Sequence, residues 1–253
     1  MRVIVIVIIV ASLIATAFIS KKKERSVEFR SNNSPTTTSV TVLELFTSEG
    51  CSSCPRADKL LQQLADENKN IIALSFHVDY WNRLGWTDPF SSTEYTNRQQ
   101  EYASKLDLES VYTPQVIVNG EYQMVGSDKS AIQTAIGKTT KEKNNITLSI
   151  NDLVVAGNKM NFTVKAEGEI NGNELHAALV EKKATTQVKA GENNGATLSH
   201  INIVRVFKTV EAHLKNNFQL SIPSDLIKSN RSIILYTQNR NNFRITSAVT
   251  VSE

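Results

Sequence analysis

Hydrophobic positions set the first divisions of the chain. Val40 to Phe46 is an apolar-rich run, and Ala57, Leu60, Leu61, Leu64 and Ala65 then recur at the i, i+3, i+4, i+7 spacing of one helix face. The change of period predicts a strand followed by a helix from Cys54 to about Asn68, where Asn68-Lys69-Asn70 breaks it. Ile71 to Val78 is apolar enough to be a strand buried on both faces, as parallel strands are. The order is therefore β-α-β, with a right-handed crossover as the default. Ser91 with Glu94 reads as a capping box, and Tyr95, Tyr102, Ala103 and Leu106 mark one face of a second helix. Asn119-Gly120 between Gln115–Val118 and Glu121–Val125 is a strong hairpin signal. Ser127 is placed to cap a last helix that turns Ala131, Ile132, Ala135 and Ile136 inward and ends at Gly137.

From Asn144 onward the pattern changes to short β-rich runs between polar turns: 146–150, 160–165, 175–180, 201–210, 218–222, 233–237 and 245–251. That spacing predicts an antiparallel sandwich-like domain over 145–253, after an α/β domain over 40–140. Ahead of both, Val3 to Ile19 is apolar except for Ser12 and Thr16, which reads as a targeting element over residues 1–20. As a helix it would span about 25 Å at roughly 1.5 Å per residue, short of a bilayer core of about 30 Å. Arg2, the apolar stretch and Ala15-Thr16-Ala17 fit a secretory signal peptide. Lys21, Lys22, Lys23 and Arg25 oppose export of the chain beyond them, so a membrane anchor competes with cleavage. Export is the preferred reading, with an extracytoplasmic, secreted or anchored product, the periplasm being the natural compartment. Residues 21–39 are polar and read as a tether.

Composition narrows the functional classes. The chain has 253 residues, is 40% hydrophobic and 21% charged, and carries a net charge of +3. These values suit ordinary globular domains and give no case for nucleic-acid binding. Its two cysteines, Cys51 and Cys54, stand in one Cys-x-x-Cys motif, which cannot be a disulfide framework and reads as a working pair. The pair lies where the first strand gives way to the first helix. Free N–H groups and the positive end of the helix dipole there stabilise a thiolate, the nucleophilic form of cysteine.

The run Leu43-Glu44-Leu45-Phe46-Thr47-Ser48-Glu49-Gly50-Cys51-Ser52-Ser53-Cys54-Pro55, with Phe76-His77-Val78-Asp79-Tyr80-Trp81 and Tyr112-Thr113-Pro114-Gln115, resembles the thioredoxin-like superfamily over about residues 40 to 138. In particular it looks like a bacterial group of exported thioredoxin-like proteins of unassigned function. Gly191 to Leu198 resembles the second half of that group too. The resemblance implies a cis Pro114 lying against the two sulfurs. The chain departs from thioredoxin in having Ser52-Ser53 in place of Gly-Pro, and in the long aromatic loop Asp79–Phe90 that holds both tryptophans.

The motif admits three functional readings. In the first, a thiol-disulfide oxidoreductase, Cys51 attacks as thiolate and Cys54 resolves the mixed disulfide with another extracytoplasmic thiol or disulfide protein; no cofactor is needed beyond the redox-active disulfide. Glu44, on the strand leading to the motif, is a candidate to take the resolving thiol's proton if alternation aims it beneath Cys54; the alternative is a carboxylate satisfied by a hydroxyl. Thr113, Trp81 and Trp86 are candidates for holding a partner segment, the tryptophans alternatively packing the loop onto the domain. In the second reading Cys51, Cys54 and His77 form a soft ligand set for Cu(I) or Zn(II). In the third, the disulfide is structural and the chain is a non-catalytic binding module. His176, His200 and His213 show no spacing that suggests a joint site.

Overall fold

The structure, a computed structural model, describes residues 40–139 and 145–252. The targeting element (1–20), the tether (21–39) and most of the expected boundary segment (140–144) lie outside the described residues. The first half runs β1 (Thr41–Thr47), α1 (Cys54–Glu67), β2 (Ile71–His77), α2 (Thr93–Lys105), β3 (Gln115–Val118), β4 (Tyr122–Val125) and α3 (Lys129–Thr139). Seven further strands complete the chain: β5 (Ile146–Ala156), β6 (Lys159–Gly168), β7 (Asn173–Gln187), β8 (Thr197–Glu211), β9 (Lys215–Ser221), β10 (Arg231–Asn239) and β11 (Ile245–Ser252).

These strands do not sort into an α/β domain followed by an all-β sandwich. One mixed sheet of eight strands, ordered β11-β10-β7-β8-β2-β1-β3-β4, runs through both halves of the chain, and only β5-β6-β9 forms a separate sheet. Among the described residues strand accounts for 47% and helix for 21%, so the structure is mostly β, and the expected α/β thioredoxin-like fold plus sandwich is overturned. The join is β2 beside β8, parallel at Ser75 and Ile203. There Ser75 Oγ donates to the Ile201 carbonyl at 2.8 Å and Asn202 Nδ2 to the Ala73 carbonyl at 3.0 Å. Periodicity marks strands but not which strand pairs with which. It also undercounts β7 and β8, each 15 residues long and kinked by the register shift between Leu179 and Val180.

Three apolar cores arise from alternation along these strands. Leu43 and Leu45 of β1 face α1 and meet Ala57, Leu60, Leu61 and Leu64. Each leucine buried there contributes roughly 1.5–3 kcal/mol. Val42 and Phe46 face the other way, toward α2, and that core continues without a break into Val180, Val204, Ile234 and Tyr236 of the second half. The three-stranded sheet covers the rest of the large one through Met160, Phe162 and Phe218, against Leu175, Leu179 and Leu235.

Local signals shift by a residue or two from the sequence reading. Ser92, not Ser91, caps α2 by accepting from the Glu94 N–H at 3.2 Å, while Ser91 Oγ donates to the Asp88 carbonyl. Asp128 rather than Ser127 accepts the Ala131 N–H at the start of α3, and Gly137 lies within that helix. The Asn119-Gly120 hairpin is present, with φ of 52° and 77°. It is also a joint: the Asn119 carbonyl accepts the Ile245 N–H, and a Cβ at Gly120 would stand 1.9 Å from the Phe243 carbonyl oxygen. Gly120→Ala should therefore destabilise the chain by about 2–4 kcal/mol in urea unfolding, since it adds strain at positive φ to a clash with backbone. A loss under about 0.5 kcal/mol would show that the joint yields freely.

Candidate functional site

The β1–α1 loop delivers the cysteine pair. Cys51 and Cys54 form a disulfide with Cα atoms 5.4 Å apart, Cys54 as the first residue of α1 and Pro55 just inside it. The loop folds through two turns, Cys51 N–H to the Ser48 carbonyl and Cys54 N–H to the Cys51 carbonyl, both 3.2 Å. Cys51 is only 1% exposed and Cys54 not at all, while Ser52 and Ser53 face solvent.

A strap from the second half, residues 188–196 between β7 and β8, closes over this loop. Asn193 Nδ2 donates to the carbonyls of Glu49 (2.8 Å) and Cys51 (2.9 Å), and Glu192 accepts the Ser52 N–H at 3.0 Å. That contact holds the exposed Glu192 carboxyl below the usual range. Gly191 lets the strap pass close to Trp86, at a positive φ of 73°. Trp86 Nε1 in turn donates to Glu49 at 2.8 Å. On the other side Trp81 packs on Gly50 and donates to Thr113 Oγ1 at 2.8 Å, and the Thr113–Pro114 peptide is cis. Gly126 is the point where Leu45, Ala57 and Pro114 converge, which sets Pro114 beside the first turn of α1. Thus Trp81, holding Thr113, stands beside Gly50, and Pro114 stands beside Ala57; the polar ends of both tryptophans are already used within the chain.

Below the disulfide lies a buried cluster of acids and imidazoles. Glu49 stands two residues before Cys51, and Asp58 one helical turn past Cys54 on the same buried face of α1. His200 of β8 sits between them, at 3.4 Å from Glu49 Oε1 and 3.6 Å from Asp58 Oδ2. These are ion-pair rather than hydrogen-bond distances. Burial alone would lower the His200 pKa, but the contacts and charges of Asp58 and Glu49 reverse that and push it up to about 10. Because this lies above the unfolded value near 6.5, the stabilisation is complete below about pH 6.5 and fades as the pH climbs toward 10. The His200 ring stands edge-on to His77, centroids 4.8 Å apart, and His77 Nδ1 meets Asp88 Oδ2 at 2.7 Å. Asp88 also accepts the Glu49 N–H. Burial raises the Asp88 pKa, yet the His77 charge and these hydrogen bonds hold it below the usual range. Five atoms of this cluster, Glu49 Oε1, Asp58 Oδ1, His77 Nε2 and both ring nitrogens of His200, are buried without a hydrogen bond.

Glu44 is not part of it. The sequence leaves this carboxylate either beneath Cys54 or satisfied by a hydroxyl, and the structure gives the second: alternation along β1 turns it to the α2 face, with Val42 and Phe46, while Leu43, Leu45 and Thr47 face α1. There it forms a forked ion pair with Arg98 (Nη2 to Oε1 2.8 Å, Nε to Oε1 3.1 Å) and accepts from the Tyr102 and Tyr236 hydroxyls. The acid on the Cys54 side is Asp58, which the sequence signals only as a carboxylate four residues past a cysteine on an apolar helix face. His200 has no local signal at all. His77 shares the site, but through Asp88 and His200 rather than through sulfur. Among the described residues no group of three or more His, Cys, Asp or Glu is arranged to hold a metal ion.

Comparison with known proteins gives relatives but no activity. The chain is similar to a crystal structure of an Agrobacterium tumefaciens protein from a structural-genomics programme, with 29% identity over 86% of this chain and 96% of that one, at a TM-score of 0.63. Weaker likenesses are a domain of the outer membrane lipoprotein Omp28 of Porphyromonas gingivalis (14% identity, 43% and 87% covered, TM-score 0.26) and a DUF3823 family protein of Bacteroides ovatus (11%, 43% and 55%, TM-score 0.27). No curated protein matches. The family profile, which spans residues 42–238, takes in the cysteine pair, the strap and His200, and carries no thioredoxin-like assignment. The chain belongs to the family described as protein of unknown function, DUF1223.

Proposed function

We propose that the Cys51–Cys54 pair exchanges disulfides with the cysteines of an extracytoplasmic partner protein, Cys51 attacking or being attacked first and Cys54 resolving. The observation that carries this reading is the cluster of Glu49, Asp58, Asp88, His77 and His200 adjoining the disulfide. A purely structural crosslink needs no titratable neighbours, and burying three acids and two imidazoles costs stability. Opening and closing a disulfide does need them, because each sulfur changes between bonded, anionic and protonated forms. Exported surroundings are where such a pair cycles without being held permanently reduced. Thr113 and Trp81 form the wall against which a partner segment would lie.

The carrier reading for copper or zinc lacks a comparable observation. It needs both sulfurs and His77 together, and among the described residues no group of three or more His, Cys, Asp or Glu is arranged to hold a metal ion.

Trapping separates the readings. Cys54→Ser in an extract of its own envelope should accumulate a mixed disulfide with a partner, released by reductant, and Cys51→Ser should accumulate none. If neither variant traps a partner and the wild-type pair fails to equilibrate with glutathione, exchange is wrong. Stoichiometric Cu(I) binding that disappears in His77→Ala would put the carrier reading in its place.

A further inference from the structure

Resting on the exchange reading, we propose that His200 is the positioning residue that lets the Cys54 sulfur leave and return with a proton, acting through Asp58. The residue comes from β8, far along the chain, yet its ring lies between Glu49 and Asp58, the two acids that flank the Cys-x-x-Cys loop. Every charged or titratable group that faces it belongs to the same cluster: Glu49 from the β1–α1 loop, Asp58 from α1, His77 from β2, and Asp88 behind His77. Phe90 closes the side, with Arg205 of β8 lying across it. Buried polar atoms without hydrogen bonds are rare, and they concentrate where protons or ligands move.

The balance of the step is given for oxidation of a partner dithiol. A partner thiolate bonds to Cys51 Sγ, the Cys51–Cys54 bond breaks, and Cys54 departs with the electron pair. A thiolate released beside two ionised carboxylates is strongly disfavoured. His200 removes that barrier by passing a proton to Asp58, which passes it to the Cys54 sulfur. The second partner thiolate then attacks the partner's own sulfur in the mixed disulfide, and Cys51 leaves as a thiolate that takes a proton from water. Two electrons pass from the partner to the pair. The two protons shed by the partner thiols balance those gained by Cys51 and Cys54, with His200 recharged from water. Reduction of a partner disulfide runs the same steps in reverse.

The test uses the full chain and dithiothreitol as the attacking thiol, from about pH 5 to about pH 10, each rate divided by the reagent's thiolate concentration. In the wild type the corrected rate should stay level and fall only toward the alkaline end, where His200 loses its proton. His200→Gln should lower it at least about tenfold near pH 8 and remove the alkaline inflection. A purely structural His200 would change the melting temperature and leave the shape of the profile alone. If the variant fails to fold, nitrogen-15 histidine spectra of the wild type decide: in the disulfide form the His200 ring should carry both protons at about pH 8, and a neutral ring, with no proton to give, overturns the proposal. A folded variant with an unaltered profile overturns it too, leaving exchange itself standing. A wild-type disulfide inert to dithiothreitol removes both.

Discussion

Arg98→Met should cost the whole chain about 3–5 kcal/mol, because it leaves the buried Glu44 carboxyl group without its cationic partner. Glu44 is fully buried and Arg98 is 6% exposed. Burial works against the Arg98 charge, and the Glu44 carboxylate more than restores it, so the guanidinium stays protonated. Around it stand the rings of Tyr102, Phe207, Phe76 and Tyr236, with centroids 4.9–5.8 Å away. Gln238 accepts from the guanidinium at 3.2 Å and donates to Tyr102 at 2.8 Å. Urea unfolding should show the loss as one transition for both halves, since Tyr236 and Gln238 belong to β10. The paired change Glu44→Leu with Arg98→Met should recover much of the stability, because apolar replacement of a buried pair is often neutral. An Arg98→Met variant within about 1 kcal/mol of the wild type would mean that the pair contributes almost nothing.

Glu192→Ala combined with Asn193→Ala should speed native-state opening of the disulfide by dithiothreitol about ten- to a hundredfold. The two hydrogen bonds from Asn193 contribute about 0.5–1.5 kcal/mol each, and every 1.4 kcal/mol is about a factor of ten in the population of the open form; loss of the Glu192 contact acts in the same direction. With Cys51 1% exposed, attack on its sulfur has to await that opening. The overall unfolding free energy should fall by that same amount and no more, because the opened form keeps the rest of the fold. An unchanged rate would show that some other element covers the sulfur, Trp81 or Pro114 being next in line.

Much of the site's frame is legible in the sequence, and the missing parts share a cause. Switches of period locate β1, α1 and β2, and so place the cysteines where a strand ends and a helix begins. The Asn119-Gly120 turn is legible because its backbone demands those residues. Pairing is not legible: nothing in the β8 segment says that it lies beside β2, and this one adjacency turns two expected domains into one sheet. The same blindness explains the site. Asp58 is readable in hindsight from its helical spacing to Cys54, but His200 and Asn193 reach the motif only through that adjacency. The sequence leaves Glu44 between two surroundings for a related reason, since alternation gives two faces and only the packed helices tell which face is which.

The route by which Glu44 finds its partners also constrains the order of events during synthesis. Arg98 lies 54 positions after it, and Tyr236 lies 192 positions after it. A growing chain that has passed α3 holds both charges but neither β8 to flank β2 nor β10 to close the cavity over the guanidinium. Domains normally settle as they emerge. Here the core around Leu43, Leu45 and α1 can form early, but Glu44 and Arg98 stay without the hydroxyl of Tyr236 and the amide of Gln238 until β10 has been made.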